Sequence, residues 1–147
     1  MSDFTDRLRA DCFGWLHEQY SGVYVNGQGA IIVPFQRTVA FVDVEDKLAA
    51  TGRVNVHAPV LVGMRLTPEL TEHVALNGGN YLYGALSFYL EEGEPPALEF
   101  DYSMFGETVT EPVLKMAVAL VAGTAETVQR ELQPRFGGRS ILDQCLD

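Results

Sequence analysis

The segment from residue 80 to residue 90 constrains the fold most strongly, because both of its alternating faces are apolar or aromatic. Side chains of a strand point to opposite faces in turn. One face carries Leu82, Leu86, Phe88 and Leu90, with Gly84 between them. The other carries Tyr81, Tyr83, Ala85, Ser87 and Tyr89. We predict that the leucine face belongs to the core, whereas the tyrosine face, which combines ring area with hydroxyl groups, is typical of protein–protein contacts.

The run Ala97–Phe105 is the predicted antiparallel partner of this strand, across a turn at residues 91–96. Its core-facing side chains are Leu98, Phe100, Tyr102 and Met104, which places its acidic residues on the tyrosine face. The candidate partner-binding residues are therefore Tyr81, Tyr83, Tyr89, Glu99 and Asp101. Two other interpretations remain open: a solvated sheet face, where tyrosine suits a strand, and a face covered by the short helix.

The remaining elements follow from hydrophobic spacing and from helix caps. Residues 3–20 repeat apolar side chains at three- and four-residue steps, which predicts a helix. Alternation predicts strands at residues 23–26, 30–35, Thr38–Glu45 and Arg53–Val62. Pro59 lacks an amide donor, so the last of these strands is expected to be bulged there or to lie partly at an edge. Thr67 and Pro68 begin a short helix, and Glu111–Phe136 is the longest helix.

This order predicts an α+β fold with an antiparallel sheet of about five strands and helices packed on one face, in the order α-β-β-β-α-β-β-α. Strands joined by short turns favour antiparallel pairing. Residues 1–138 are expected to form a single domain, followed by a short tail at residues 139–147.

The longest helix is apolar nearly all round between Pro112 and Ala125, where Lys115 is the only charged residue. Such a helix is buried on more than one side. The predicted core stripe is Val113, Ala117, Leu120, Val121, Thr124, Val128 and Leu132. Met116, Ala119 and Ala122 lie outside it and are the candidate homodimer residues. A central helix buried within one chain explains the same pattern equally well.

The composition disfavours some binding partners and indicates the cellular compartment. The 147 residues carry a formal net charge of −10, which disfavours binding to nucleic acid or to anionic membranes. Cys12 and Cys145 lie near opposite ends and form no disulfide framework or CxxC pair, so two reduced thiols are expected. Without an apolar leader or a run long enough to span a bilayer, a cytoplasmic location is expected.

No local motif predicts catalysis, a metal or a cofactor. His17, His57 and His73 lack metal-ligand spacing, and Gly27-Gln-Gly29 lacks the third glycine of a dinucleotide fingerprint. The sequence has no nucleophile elbow or P-loop. We expect no enzyme activity, although an acid–base pair assembled in space stays open.

The chain resembles the type III secretion chaperone-like superfamily, and within it the YbjN-like proteins. The resemblance runs from Phe4 to Gly138 and follows the order of elements. Its local pieces are Val56-His-Ala-Pro-Val60, Thr67-Pro-Glu-Leu70, Asn80 before the 82–90 strand, Phe105-Gly106, and an alanine-rich helix ending near Phe136-Gly-Gly138. It implies an α+β fold, often dimeric, that holds extended segments of client proteins without a cofactor or enzymatic chemistry.

We therefore predict a non-enzymatic chaperone or adaptor that binds a client protein or peptide by strand addition and hydrophobic capture. A small-ligand carrier with a cavity between sheet and helix is the alternative, and an enzyme ranks third. A closed apolar cavity of a few hundred Å³ favours the carrier. An exposed apolar patch beside a free sheet edge favours the chaperone.

Overall fold

The structure is a computed structural model that describes residues 3–46 and 52–142. In these ranges the elements are α1 (Asp3–Gln19), β1 (Tyr24–Val25), β2 (Ile31–Phe35), β3 (Thr38–Glu45), β4 (Arg53–Val62), α2 (Pro68–Asn77), β5 (Ala85–Tyr89), β6 (Ala97–Phe105) and α3 (Glu111–Phe136). A 3₁₀ turn, Gly106–Thr108, joins β6 to α3. The predicted α+β class is confirmed, with a sixth strand because the two-residue β1 also pairs.

The strands of the described residues form one antiparallel sheet in the order β1-β2-β3-β4-β6-β5. The first hairpin is held by Asn26, whose Oδ1 accepts hydrogen bonds from the N–H groups of Gln28 and Ala30, both at 3.0 Å. Such side-chain bonds to nearby backbone are the usual reason that asparagine occurs in turns. The register of β4 on β6 shifts between Pro59 and Leu61, so the predicted bulge at the proline is confirmed.

The helices pack on one face of the sheet. The core joins side chains of β4 and β6, such as Val56 and Phe100, to Leu114 and Val118 of α3, all fully buried. α1 adds Leu16 to the same core. The opposite face carries the alternate residues of the strands, and none of the three helices packs on it. This arrangement follows from the alternation of each central strand, since only one side of it is continuously apolar.

Local capping fixes where two helices begin. The Oγ1 of Thr67 accepts a hydrogen bond from the Leu70 N–H at 3.2 Å, as predicted for α2. Thr110 caps α3 through the Val113 N–H at 3.4 Å. After α3, Arg139 exchanges two backbone hydrogen bonds of 2.9 Å with Val62. The rest of the predicted tail from residue 143 onward, including Cys145, lies outside the described residues.

Candidate functional site

Strand β6 extends beyond its neighbour β5 at one end. β6 pairs with β4 along its whole length, from Ala97 to Phe105, whereas β5 pairs with it only as far as Asp101. The last four residues of β6 therefore have no neighbouring strand on the β5 side within the described chain. We call residues 102–105, seen from this side, the open edge.

The alternating direction of N–H and C=O groups along β6 decides which backbone groups the open edge presents. In an antiparallel pair, successive residues direct their N–H and C=O groups to opposite sides. The Leu86 N–H points away from β6 and bonds to the Gly78 carbonyl at 2.9 Å. The backbone N–H and C=O groups of the preceding residue, Ala85, therefore point towards β6 and pair with those of Asp101. Two residues further along β6, the N–H and C=O of Ser103 consequently point outward.

The N–H and C=O of Phe105, two residues after Ser103, also point outward. The Phe105 carbonyl accepts a hydrogen bond from Thr108 Oγ1 at 2.7 Å. Three backbone groups remain at the open edge: the Ser103 N–H, the Ser103 C=O and the Phe105 N–H. None of them has a partner strand in residues 3–46 and 52–142. Unpaired strand groups of this kind are a template for pairing with another chain.

The other edges of the described sheet are protected in part. On the outer side of β5, the Leu86 N–H is bonded to the Gly78 carbonyl at the end of α2. At the far edge, β1 is only two residues long and β2 carries Pro34, which cannot donate. Short strands and prolines at edges are devices that prevent unwanted pairing. The open edge of β6 lacks both.

An apolar groove lies beside the open edge, on the helix side of the sheet. It has a volume of about 120 Å³ and is lined by Tyr83, Tyr102, Val113, Met116, Ala117, Leu120 and Val121. Met116 is 62% exposed and Val113 is 42% exposed, so the groove opens to solvent. Tyr102 belongs both to this groove and to the open edge, which makes the two features adjacent.

The strand predicted at residues 80–90 is shorter than expected, and the assignment of its faces was wrong at its start. The strand begins at Ala85, because Gly84 has φ +79° and turns the chain. A Cβ on Gly84 would lie 2.4 Å from the Asp101 carbonyl oxygen, so this turn requires glycine. Leu82, expected in the core, is 89% exposed, and Leu90, beyond the end of β5, is also exposed.

The predicted partner-binding residues consequently divide between two sides of the sheet. Tyr81 packs its edge on the core residue Phe100, with ring centroids 5.0 Å apart. Tyr83 packs its edge on Tyr102 at 6.3 Å and lines the groove. Tyr89, Glu99 and Asp101 lie on the helix-free face, as predicted. The five residues therefore do not form one surface, and their role in binding stays a prediction.

α3 is rotated relative to the predicted stripe. Val113 and Leu120, expected in the core, are partly exposed in the groove, whereas Ala122, a candidate dimer residue, is fully buried. Ala122 therefore cannot contribute to a dimer surface in this fold. The other two candidates, Met116 and Ala119, remain accessible, and dimerisation through them stays a prediction.

The helix-free face carries a charge cluster centred on His57 of β4. Its Nε2 lies 2.9 Å from Asp43 Oδ2 of β3, and its Nδ1 lies 3.5 Å from Glu99 Oε2 of β6. The second contact is at the distance limit of a hydrogen bond. The His57 ring also stacks on Phe41, with centroids 5.1 Å apart. One imidazole thus links three neighbouring strands.

The charge cluster changes two pKa values. Burial lowers the pKa of His57, but the carboxylates of Asp43 and Glu99 outweigh it and raise the pKa to about 9. His57 is therefore a cation at neutral pH. The pKa of Asp101 is raised, first by burial and then by the neighbouring Glu99, although His57 and Arg53 oppose the increase.

The described residues contain little that points to chemistry. Cys12 is a free thiol, fully buried, and burial followed by the charge of Asp11 raises its pKa to about 12. In residues 3–46 and 52–142, no group of three or more His, Cys, Asp or Glu side chains is arranged to hold a metal ion. The helices of the same ranges include none with the length and apolarity needed to cross a membrane.

Comparison with known proteins identifies the family. Residues 16–144 match the family model TY-Chap1, described as T3SS (YopN, CesT) and YbjN peptide-binding chaperone 1. The chain belongs to this family, and the resemblance seen in the sequence is confirmed. It is thus a peptide-binding chaperone in general terms. A search of curated proteins gives no match.

Two solved structures have the same fold. The crystal structure of YbjN from E. coli matches with a TM-score of 0.67 and 16% identity over 92% of this chain and 96% of that chain. A chain of the ExsC–ExsE complex matches with a TM-score of 0.65 and 15% identity over 88% of this chain and 96% of that chain. At these identities the likeness concerns the fold.

Sequence reasoning missed the open edge and the cationic His57. Both depend on which residues face each other across strands, and alternation within one strand does not give that register. The only available signal was the alternation of side chains along each strand. It places His57 on the polar side of β4 and Ser103 on the polar side of β6. The pattern placed them on the correct face but did not give their partners.

Proposed function

We propose that the protein holds an extended segment of a client by adding it as a strand to the open edge of β6. The observation that carries this proposal is the unpaired end of β6 directly beside an apolar groove. In strand addition, backbone hydrogen bonds supply affinity, and pockets for alternate side chains supply specificity. The open edge offers three backbone groups, and the groove offers one pocket on the helix side.

The groove volume suits one aliphatic side chain. An apolar cavity of about 150 Å³ takes up a benzene molecule, so the 120 Å³ groove between Tyr83 and Met116 fits a leucine or an isoleucine. Burying such a side chain contributes roughly 1.5–3 kcal/mol, and three backbone hydrogen bonds add about 0.5–1.5 kcal/mol each. After the cost of ordering the segment, a short peptide binds weakly, and a longer client is needed for tight binding.

The small-ligand carrier is less well supported. That function needs a closed apolar cavity of a few hundred Å³, whereas the apolar groove is smaller and bordered by exposed side chains such as Met116. The fold shared with a chain of the ExsC–ExsE complex agrees with a binding function. We propose that the protein acts by binding without catalysis or a cofactor, in the cytoplasm, on protein clients rather than nucleic acid or membranes.

A proline at the open edge tests the proposal. Ser103→Pro removes the outward N–H without breaking a bond to β4, and proline is tolerated at strand edges in this position. The matched control is Ser103→Ala, which keeps the N–H but loses the Ser103 hydroxyl bond to Asn55, 2.7 Å long. The probe is the peptide Gly-Ser-Leu-Ser-Leu-Ser-Gly, titrated into labelled protein and followed by NMR chemical shifts.

We expect shift changes at the amides of residues 103 and 105 and at groove methyl groups, both in the wild type and in Ser103→Ala. Ser103→Pro should weaken binding by about tenfold, since it removes one edge bond and hinders the approach of the peptide. Thermal melts confirm that both variants fold. Equal binding by Ser103→Pro and Ser103→Ala, or shift changes away from the open edge and groove, would rule out strand addition at this site.

A further inference from the structure

We propose that the client strand alternates aliphatic with basic side chains, and that Asp101 selects the basic residue. This inference rests on the proposed strand addition at the open edge. It defines the chemistry of the client on the side of the strand that does not enter the groove. The argument depends on cross-strand geometry, on the charges around Asp101 and on the exposed ring of Phe105.

Cross-strand geometry places one client side chain near Asp101. A client residue opposite Ser103 directs its side chain to the helix-free face, because Ser103 lies on that face. Diagonal neighbours across an antiparallel pair are about 7–8 Å apart, within reach of long side chains. Asp101 is one diagonal neighbour. On the β5 side, the residue opposite Asp101 is Ala85, whose side chain is too short to cover the carboxylate.

Each cation that faces Asp101 is already paired with another carboxylate. His57, directly opposite on β4, contacts Asp43 and Glu99. Arg53 donates from its Nε to Glu45 at 2.7 Å. Among the described residues Asp101 forms no ion pair. Its raised pKa agrees with a half-buried carboxylate that lies beside Glu99 and has no cation of its own.

Phe105, the other diagonal neighbour of this position, favours the same client residue. Phe105 is 57% exposed at the end of the open edge. Lysine and arginine cover apolar surface with their aliphatic stems while the charged end stays hydrated, and a cation near a ring face gains further attraction. An acidic client residue would instead be repelled by Asp101 and Glu99.

The test compares three probe peptides that differ only in the residue between the two leucines: Gly-Ser-Leu-Lys-Leu-Ser-Gly and its central serine and glutamate versions. Each is titrated by NMR into the wild type and Asp101→Asn at low and high salt. Glu18→Gln is the matched control, because it removes one charge from the exposed end of α1, which precedes β1 at the opposite edge of the sheet.

We expect the wild type to bind the lysine peptide about tenfold more tightly than the glutamate peptide at low salt, since an attraction replaces a repulsion at a partly exposed site. Asp101→Asn should reduce this preference to about threefold or less, and high salt should reduce it for the wild type. Glu18→Gln should leave it unchanged.

The outcomes separate this inference from the function on which it depends. Binding that is weakened by Ser103→Pro but is equal for the three peptides would overturn the basic-client inference and leave strand addition intact. A lysine preference that survives in Asp101→Asn would also overturn it, because the selecting residue would lie elsewhere. Equal binding of the lysine peptide by Ser103→Pro and Ser103→Ala would overturn strand addition and, with it, this inference.

Discussion

Raising the pH should destabilise the protein through His57 well before other buried groups titrate. The pKa of His57 is raised from 6.5 to about 9, because its contacts with Asp43 and Glu99 outweigh burial. A folded-state pKa above the unfolded value means that the stabilisation is complete below pH 6.5 and is lost as the pH rises through 9.

The magnitude follows from the shift in pKa. One pKa unit corresponds to about 1.4 kcal/mol, so protonated His57 contributes about 3 kcal/mol to the free energy of unfolding at acid and neutral pH. Its side chain is 19% exposed, which limits screening by solvent. Between the two pKa values, stability should fall by about 1.4 kcal/mol per pH unit. Above pH 9 the Cys12 thiol of the unfolded chain also ionises, so the informative window ends there.

Urea unfolding across this window measures the effect, with His57→Gln as the control that keeps a polar side chain but cannot titrate. We expect the wild type to be more stable than His57→Gln by about 2–3 kcal/mol near pH 6.5 and the two to converge near pH 9. An NMR titration of the imidazole gives its pKa directly. Parallel stability curves, or an imidazole that titrates near 6.5, would refute the reasoning.

Three further predictions use substitutions measured by urea unfolding or sedimentation. Gly84→Ala should cost roughly 3 kcal/mol or more, because it combines a positive φ with a Cβ 2.4 Å from the Asp101 carbonyl oxygen. Gly93→Ala, at φ +83° but in open space, should cost only about 1–2 kcal/mol, and equal losses would contradict the crowding at Gly84. Gly123→Ala, where a Cβ meets nothing within 4 Å in α3, should stabilise by about 0.5–1 kcal/mol, and a loss would show that this helix face is occupied. If the chain forms a homodimer through α3, Met116→Glu should convert it to monomer at micromolar concentrations, whereas an unchanged dimer would place the interface elsewhere.

The elements governed by local rules could be predicted from the sequence. Alternation in Thr38–Glu45 and Arg53–Val62 predicted the central strands, and the cap at Thr67 predicted where α2 begins. For α3 the sequence offered Thr108 or Thr110 as the cap, and the structure has Thr110. The bulge after Pro59 followed from its missing N–H. In each case the physical cause lies within a few residues of its effect, so no knowledge of the sheet order was needed.

The orientation of α3 could not be predicted in the same way. Its sequence between Pro112 and Ala125 is apolar nearly all round, so the spacing alone supports several choices of buried face. Packing against the sheet decides between them: Leu114, Val118 and Ala122 are fully buried in the core, whereas Leu120 is partly exposed. The groove is lined in part by Val113 and Leu120, which the spacing placed in the core, and by Met116, which it placed outside the core stripe.

The open edge and the groove have one local cause, the positive φ of Gly84. If the strand continued back to Asn80, its residues would pair with the end of β6 and close the edge. The turn instead moves the preceding segment off the sheet and sets Tyr83 against Tyr102, where it becomes a wall of the groove. The same break thus leaves backbone groups unpaired and builds the pocket beside them. A client strand at this position would complete the part of β5 that the chain itself does not supply, with its aliphatic side chain in the pocket between Tyr83 and α3.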